Sequence, residues 1–434
     1  MIELAGKLPP ELNTLTSAQI DAAWPAWIES HDREIRARLE RGDEDTIVNW
    51  LLFGTSFTSR PRAVLGAVES GAAGDREQVL RRTIELISAR LEDLLRALAA
   101  PGTDERRLFA RGFLERKGLR FATAADTESA RDYLRAAVVR VATEQDQIDQ
   151  ELGATSGDPL TQFVQRSTLF RTRGLSLDTS LVSNYSVEQA LAAMKARGLL
   201  KPGAVTRVAI IGPGLDFADK DVGFDFYPQQ TLQPFAVVDS LARLGLAPSS
   251  GGPEIVLLDI SPRIIEHVKQ ARARAAKNIG YTLNLPLPTS TPWVPEVRTY
   301  WQIFGDRIGA PAPARTSTAI AKLAELRAVR VRPSVVQRLS VLDVNIVTDR
   351  LDGQAFDLVI ATNVFLYYDV FEQALAMSNV EAMLKPGGFL LANFSAPNLI
   401  SLTIRPLETT TTLYARTVNE NIRDFMVWYK ARAN

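Results

Sequence analysis

A few residues in the second half of the chain could act together on a ligand. Gly212, Pro213 and Gly214 follow the β-branched run RVAII. Glycines there let a ligand approach the backbone with no Cβ in the way. Their other reading is a tight strand-to-helix turn that binds nothing. Asp259 closes the apolar run EIVLLD, with Ile260 next to it. A carboxylate at such a strand end accepts hydrogen bonds from the two hydroxyls of a ribose. Its other reading is a cap for the helix starting at Pro262, in competition with Ser261. Asp343, followed by Val344, ends LSVLD and would face a nucleoside base or cap a turn. The nicotinamide fingerprint G-x-G-x-x-G fails, because Phe217 occupies the third glycine position.

Other chemistries are poorly supplied. The chain of 434 residues has no Cys and only two His, His31 and His267, far apart in sequence. Disulfides, thiolate catalysis and Cys-type zinc sites are therefore excluded, and no metal site is expected. Lys+Arg and Asp+Glu balance at 50 each, so net charge points to neither nucleic acid nor an acidic partner. The start, MIELAGKLPPEL, has no basic region leading into an apolar one, and IVNWLLFG is too short to span a bilayer. The expectation is a cytoplasmic protein without a membrane span.

The elements that must position these residues change character along the chain. From about Ala18 to Gly198 apolar residues recur at i, i+3, i+4 and i+7, as in RDYLRAAVVRVATEQDQIDQEL. Asp75 and Thr103 are candidate N-caps, Gly102 and Gly118 candidate stops, and LGATSGDPL a candidate break. From Arg207 strands alternate with helices, implying a mostly parallel, doubly wound α/β sheet. Such sheets bind ligands at the carboxyl ends of their strands. The expected division is a helical N-terminal domain over residues 1–183 and a Rossmann-like domain over 184–434, with an insertion at about 280–330. The insertion and the loop LDFADKDVGFDFYPQQ are long enough to be functional or poorly ordered.

The stretch FDLVIATNVFLYYDVFEQALAMSNVEAMLKPGGFLLANF is the most specific. It resembles class I S-adenosylmethionine-dependent methyltransferases. Within them the pattern Asn363, Val364, Tyr367, Asp369 is most similar to the chemotaxis-receptor glutamate O-methyltransferases. Leu232, Gln233, Pro234 and Phe235 stand where that family has Glu-Glu-Pro-Tyr, and RTYWQIFGDRIG stands where it carries an aromatic-rich insertion. The similarity covers roughly Arg207 to Arg416.

The resemblance implies S-adenosylmethionine as cofactor, held by Gly212, Pro213, Gly214, Asp216, Gln233, Asp259, Ile260, Asp343, Val344 and Asn363. Tyr367 and Asn363 would line the reaction centre, although Tyr367 could simply pack against the sheet end. Departures lie at the methionine end. Gln233 replaces a carboxylate, Asp216 replaces a glycine, and Ile210 stands where an acid is common. One of Asp216, Asp219, Asp221 and Asp225 could take over the ammonium contact. The implied activity is methyl transfer to a carboxylate, or to another acceptor needing no strong base, on a protein or a small molecule. The altered donor residues keep a second reading open, a donor-binding sensor or scaffold that does not turn over. Oligomeric state is not legible.

Overall fold

The computed structural model describes residues 8–63, 73–153, 181–217, 224–316, 320–353, 355–396, 401–417 and 421–432. The helices α1 (Pro10–Asn13), α2 (Ser17–Phe53), α3 (Ala73–Ala99), α4 (Glu105–Arg116), α5 (Ala124–Gly153) and α6 (Leu181–Ala196) precede the first strand. Then come β1 (Arg207–Ile211), α7 (Gln233–Arg243), β2 (Glu254–Asp259), α8 (Pro262–Ala276), β3 (Tyr281–Pro288), α9 (Pro295–Ile303), β4 (Gly309–Ala312) and β5 (Ala324–Val331). The chain continues through α10 (Pro333–Val336), β6 (Leu339–Asp343), β7 (Phe356–Ala361), α11 (Val370–Met383), β8 (Leu384–Ala392), β9 (Arg405–Arg416) and β10 (Asn421–Lys430).

The chain forms two compact units. The first comprises Met1–Ala37, Thr179–Gly214 and Thr231–Asn434, and holds a seven-stranded sheet ordered β6-β2-β1-β7-β8-β10-β9. β6, β2, β1, β7 and β8 run parallel, and β10 is antiparallel to both of its neighbours. This is the expected Rossmann-like α/β sheet. The chain builds outward from β1 through β2 to β6, then returns to place β7 on β1's other side. The topological switch point therefore lies between β1 and β7, where open α/β sheets bind ligands. Val208, Ile210, Ile255, Leu257, Leu358, Ile360 and Leu391 point into its core and are fully buried. Near-continuous apolar strands of this kind are what a sheet covered on both faces requires.

The insertion is neither loop nor disorder over its described residues. It folds into a three-stranded antiparallel sheet, β3-β5-β4, with α9 beside it. A short antiparallel bridge, Trp293 to Ala415, ties it to β9.

The unit boundaries do not follow a single cut at 183/184. Among the described residues, the connection from β6 to β7 carries no helix. Its buried segment Val344–Val347 lies beside α11, with Asn379 Nδ2 donating to the carbonyls of Ile346 and Val347. α1 and the first part of α2 cover this side instead. Leu12 and Trp27 form a cluster with Phe371 and Ala374 of α11, and Trp27 meets Phe371 edge-on at 5.5 Å. The sheet needs both faces covered, and the N-terminal segment does this locally.

The second unit comprises Arg38–Asp178 and Leu215–Gln230. Its core joins Trp50, Leu51, Leu94, Leu98, Phe113, Leu114 and Leu134 to Phe217. The cap of α4 is Asp104, one residue beyond the expected Thr103, because its carboxylate reaches the N–H groups of Arg106 and Arg107 at 3.0 Å. Asp75 sits inside α3 rather than capping it, since the helix already starts at Ala73. Gly102 and Gly118, beyond the ends of α3 and α4, take φ of 59° and 81° as helix stops do. The break LGATSGDPL lies outside the described residues from residue 154 onward.

Candidate functional site

Backbone bonds bring the strand ends of the sheet unit into line. Gly212 N donates to Leu258 O at 2.9 Å, and Val344 N donates to Asp259 O at 3.2 Å. Gly212, Asp259 and Val344 therefore stand side by side at the carboxyl ends of β1, β2 and β6. The remaining neighbour is β7. A Cβ on Gly212 would lie 2.8 Å from Val364 Cγ2, so only glycine lets the loop after β7 approach the turn. Gly212 and Gly214 also take φ of 62° and 74°, in the left-handed region. Both features explain the glycines without a ligand, while still leaving bare backbone beside the switch point. Pro213 is buried between them.

Asp259 is 6% exposed. Its Oδ1 accepts from Ser261 N at 2.8 Å, and Ser261, the N-cap of α8, makes no side-chain cap of its own. Burial pushes the carboxyl up to about 7, against hydrogen bonds from the Ser261 and Ile260 amides, and the neighbouring Asp343 charge adds to the rise. The two backbone amides do not make up for the hydration that burial removes from this carboxylate. Asp343 is half-exposed, is Asp259's partner in the parallel register, and pairs with Arg36 Nη1 at 2.8 Å. Ile260 and Val344 are buried beside the two acids.

At the end of β7, Asn363 is exposed and takes φ of 56°, a conformation that asparagine tolerates better than most residues. It is held by a reciprocal pair: its N–H donates to Asn393 Oδ1 at 2.7 Å, and Asn393 Nδ2 donates to its Oδ1 at 2.6 Å. Asn393, just after β8, was not singled out in the sequence. Its only signal was an amide in the otherwise apolar LLANF. Tyr367 ends the 3-10 turn Phe365–Tyr367 and is partly exposed. Phe365 stacks on Phe394 at 4.9 Å, and Gln373 Nε2 donates to Phe365 O and Tyr368 O, fixing this turn against α11. Asp369 caps α11 in a reciprocal capping box with Glu372.

Gln233 opens α7 and is 2% exposed. Its Nε2 donates to Thr362 Oγ1 at 2.7 Å, so this side chain ties α7 to the end of β7. Asp216 lies beyond the turn, in the segment that belongs to the helical unit. There its Oδ2 accepts from Tyr227 OH at 2.8 Å and Gln230 Nε2 at 3.1 Å. Asp225 has a structural task in the same unit. Its two oxygens accept from Trp50 Nε1 and from the backbone and hydroxyl groups of Thr55 and Ser56. Burial raises its pKa, but those bonds outweigh burial and hold it below the ordinary value. Those commitments leave Asp225 no spare acceptor for an ammonium group. Asp219 and Asp221 lie outside the described residues.

Both histidines are engaged. Tyr281 OH accepts from Thr231 N at 2.8 Å and is hydrogen-bonded to His267 Nε2, also at 2.8 Å. Burial, then Arg274 and Arg263, lower His267 to about 4, which keeps it neutral. His31 stacks on Trp27 at 4.4 Å and pairs with Glu372 at 3.0 Å. The contribution of α2 was missed from sequence. The hint was the one-sided spacing of Trp24, Trp27, His31, Asp32 and Arg36. Among the described residues no group of three or more His, Asp or Glu is placed to hold a metal ion, and no helix is long and apolar enough to cross a membrane.

No protein-family model matches the chain, and no curated protein does. Among solved structures it is similar to the N-methyltransferase NodS from Bradyrhizobium japonicum WM9. The identity is 12%, over 56% of this chain and 96% of that one, with a TM-score of 0.27. It is similar to the magnesium protoporphyrin IX methyltransferase ChlM from Synechocystis PCC 6803 with bound SAM, at 12% identity over 66% and 91% of the two chains and a TM-score of 0.27. A TehB-like SAM-dependent methyltransferase from Corynebacterium glutamicum overlays at 10% identity over 58% and 100%, with a TM-score of 0.25. Each of these neighbours is described as a methyltransferase. At such scores the overlays carry no inference about this chain's chemistry.

Proposed function

We propose that the chain is an S-adenosylmethionine-dependent methyltransferase whose donor site lies at the carboxyl ends of β1, β2, β6 and β7. The observation that carries this reading is Asp259, a buried carboxylate pushed up to about 7 beside a left-handed glycine turn at the switch point. A ribose diol would add two hydrogen-bond donors to the backbone amides from which Asp259 already accepts. Asp343 is the acceptor for the base. Gln233 offers an amide oxygen to the methionine end in place of a carboxylate. Asn363 and Tyr367 stand nearest the transferred group.

The donor supplies a sulfonium methyl, already activated for in-line displacement. The protein's part is then alignment and exclusion of water. With His267 hydrogen-bonded to Tyr281 and His31 paired to Glu372, neither histidine is free to deprotonate an acceptor. This supports an acceptor that is nucleophilic without a strong base, such as a carboxylate on a protein or a small molecule.

Methyl-labelled donor incubated with cell extract and the chain should label an acceptor, and the label should leave as methanol in mild alkali, as a carboxyl ester does. A base-stable label would overturn the carboxylate assignment, and donor binding without any label would overturn turnover. Tyr367→Phe should lower turnover about 10- to 100-fold while leaving donor affinity nearly unchanged; equal losses in both would remove Tyr367 from the reaction centre.

A further inference from the structure

We propose that Arg36, on α2, is a positioning residue of the donor site: it fixes the Asp343 carboxylate so that the site selects a 6-amino over a 6-oxo purine. The proposal rests on the donor-site reading above. Arg36 Nη1 lies 2.8 Å from Asp343 Oδ1, and its Nε lies 2.7 Å from Asp32 Oδ2. Asp32 Oδ1 in turn accepts from Asn345 Nδ2 at 2.8 Å and Thr348 Oγ1 at 3.2 Å. The network leaves the end of β6 at Asp343, crosses to the helix, and returns to the loop just after β6.

Stability does not account for this arrangement. The side chains of Arg36 and Asp343 are 34% and 54% exposed, and exposed ion pairs contribute little to folding. The helix is held separately, by Trp27 against Phe371 and His31 against Glu372. What the pair does is electrostatic and directional. Asp343 and Asp259 are neighbours in register, and the Asp343 carboxylate disfavours the charge on Asp259. The guanidinium offsets that repulsion. With Oδ1 engaged, Oδ2 remains to accept from an exocyclic amine. A 6-oxo purine would set a lone pair against that oxygen and be rejected.

The test is titration of the full chain with S-adenosylhomocysteine and with its 6-oxo analogue, S-inosylhomocysteine. The wild type should prefer the amino form by roughly ten- to a hundredfold. Arg36→Ala should lose most of that preference with its melting temperature unchanged within a few degrees. Arg36→Lys should keep part of it, and Asp343→Asn, whose amide can also donate, should level it. If Arg36→Ala does not fold, Arg36→Gln carries the same comparison. Wild-type preference in Arg36→Ala, or in Arg36→Gln where that variant serves, overturns the proposal. Failure of the wild type to bind either nucleoside is a different result: it overturns the donor reading and this proposal with it.

Discussion

Asp259 carries opposing demands of stability and function. A carboxyl whose folded pKa is about 7, against an ordinary 3.8, holds its proton more tightly folded than unfolded. Its contribution to stability is greatest below about pH 4, declines as pH rises through about 7, and is flat above. The cost at neutral pH has an upper bound of about 4 kcal/mol. Asp259→Asn keeps an oxygen for Ser261 N and removes the charge. It should therefore raise the urea midpoint at pH 7.5, by more than at pH 5, and still weaken donor binding at least tenfold. A midpoint that falls at pH 7.5 would contradict the desolvation argument. His267 has the opposite sign: its pKa of about 4 contributes stability present above pH 6.5 and lost as pH falls toward 4. The difference between variant and wild type isolates Asp259 from it. Asp259, Asp343 and the glycines were legible in sequence because they end apolar strands. Asn393 and Arg36 were not, because each acts on a residue distant in sequence and neither sits in a local pattern.

At the scale of elements, the N-terminal helix is the main surprise. Its periodicity identified it as a helix, but periodicity says nothing about which partner it covers. The absence of a helix among the described residues between β6 and β7 decides that, and such an absence is hard to see in a sequence. Trp27 is 8% exposed, stacks on Trp24 and His31, and donates its indole N–H to Glu11. Trp27→Ala should destabilise the sheet unit by about 3 kcal/mol or more, read as a lower denaturation midpoint. A fragment spanning 184–434, cut where the sequence alone would divide the chain, should expose Phe371 and bind a hydrophobic dye more strongly than the full chain. A fragment that melts like the full chain would show that the helix is dispensable. The insertion was equally opaque: its length suggested a functional or poorly ordered loop, yet even Pro286, Pro288 and Pro311 sit in the short sheet β3-β5-β4. Of its strands, β3 and β4 are edges, where a residue without an N–H is tolerated.

For the molecule as a whole, the alternation from Arg207 onward fixed the class of fold, since strands and helices in turn leave little choice but a covered parallel sheet. In the final antiparallel pair, β9 hides its strand because TTTT lacks the apolar run of a buried strand, whereas β10 does carry one, FMVWY, that the sequence reading passed over. The division into units also followed contacts rather than chain order: Leu215–Gln230 joins the helical unit through Phe217 and Asp225, while Met1–Ala37 joins the sheet. The central claim is that the sheet unit binds an S-adenosyl nucleoside at the switch point. Calorimetric titration of the full chain with S-adenosylhomocysteine tests it most directly. The account expects one site per chain, with micromolar affinity that drops at least tenfold in Asp259→Asn and weakens by up to tenfold per pH unit below about 7, as the carboxyl takes up its proton. Absence of binding at millimolar ligand, or affinity indifferent to both Asp259→Asn and pH, would contradict it.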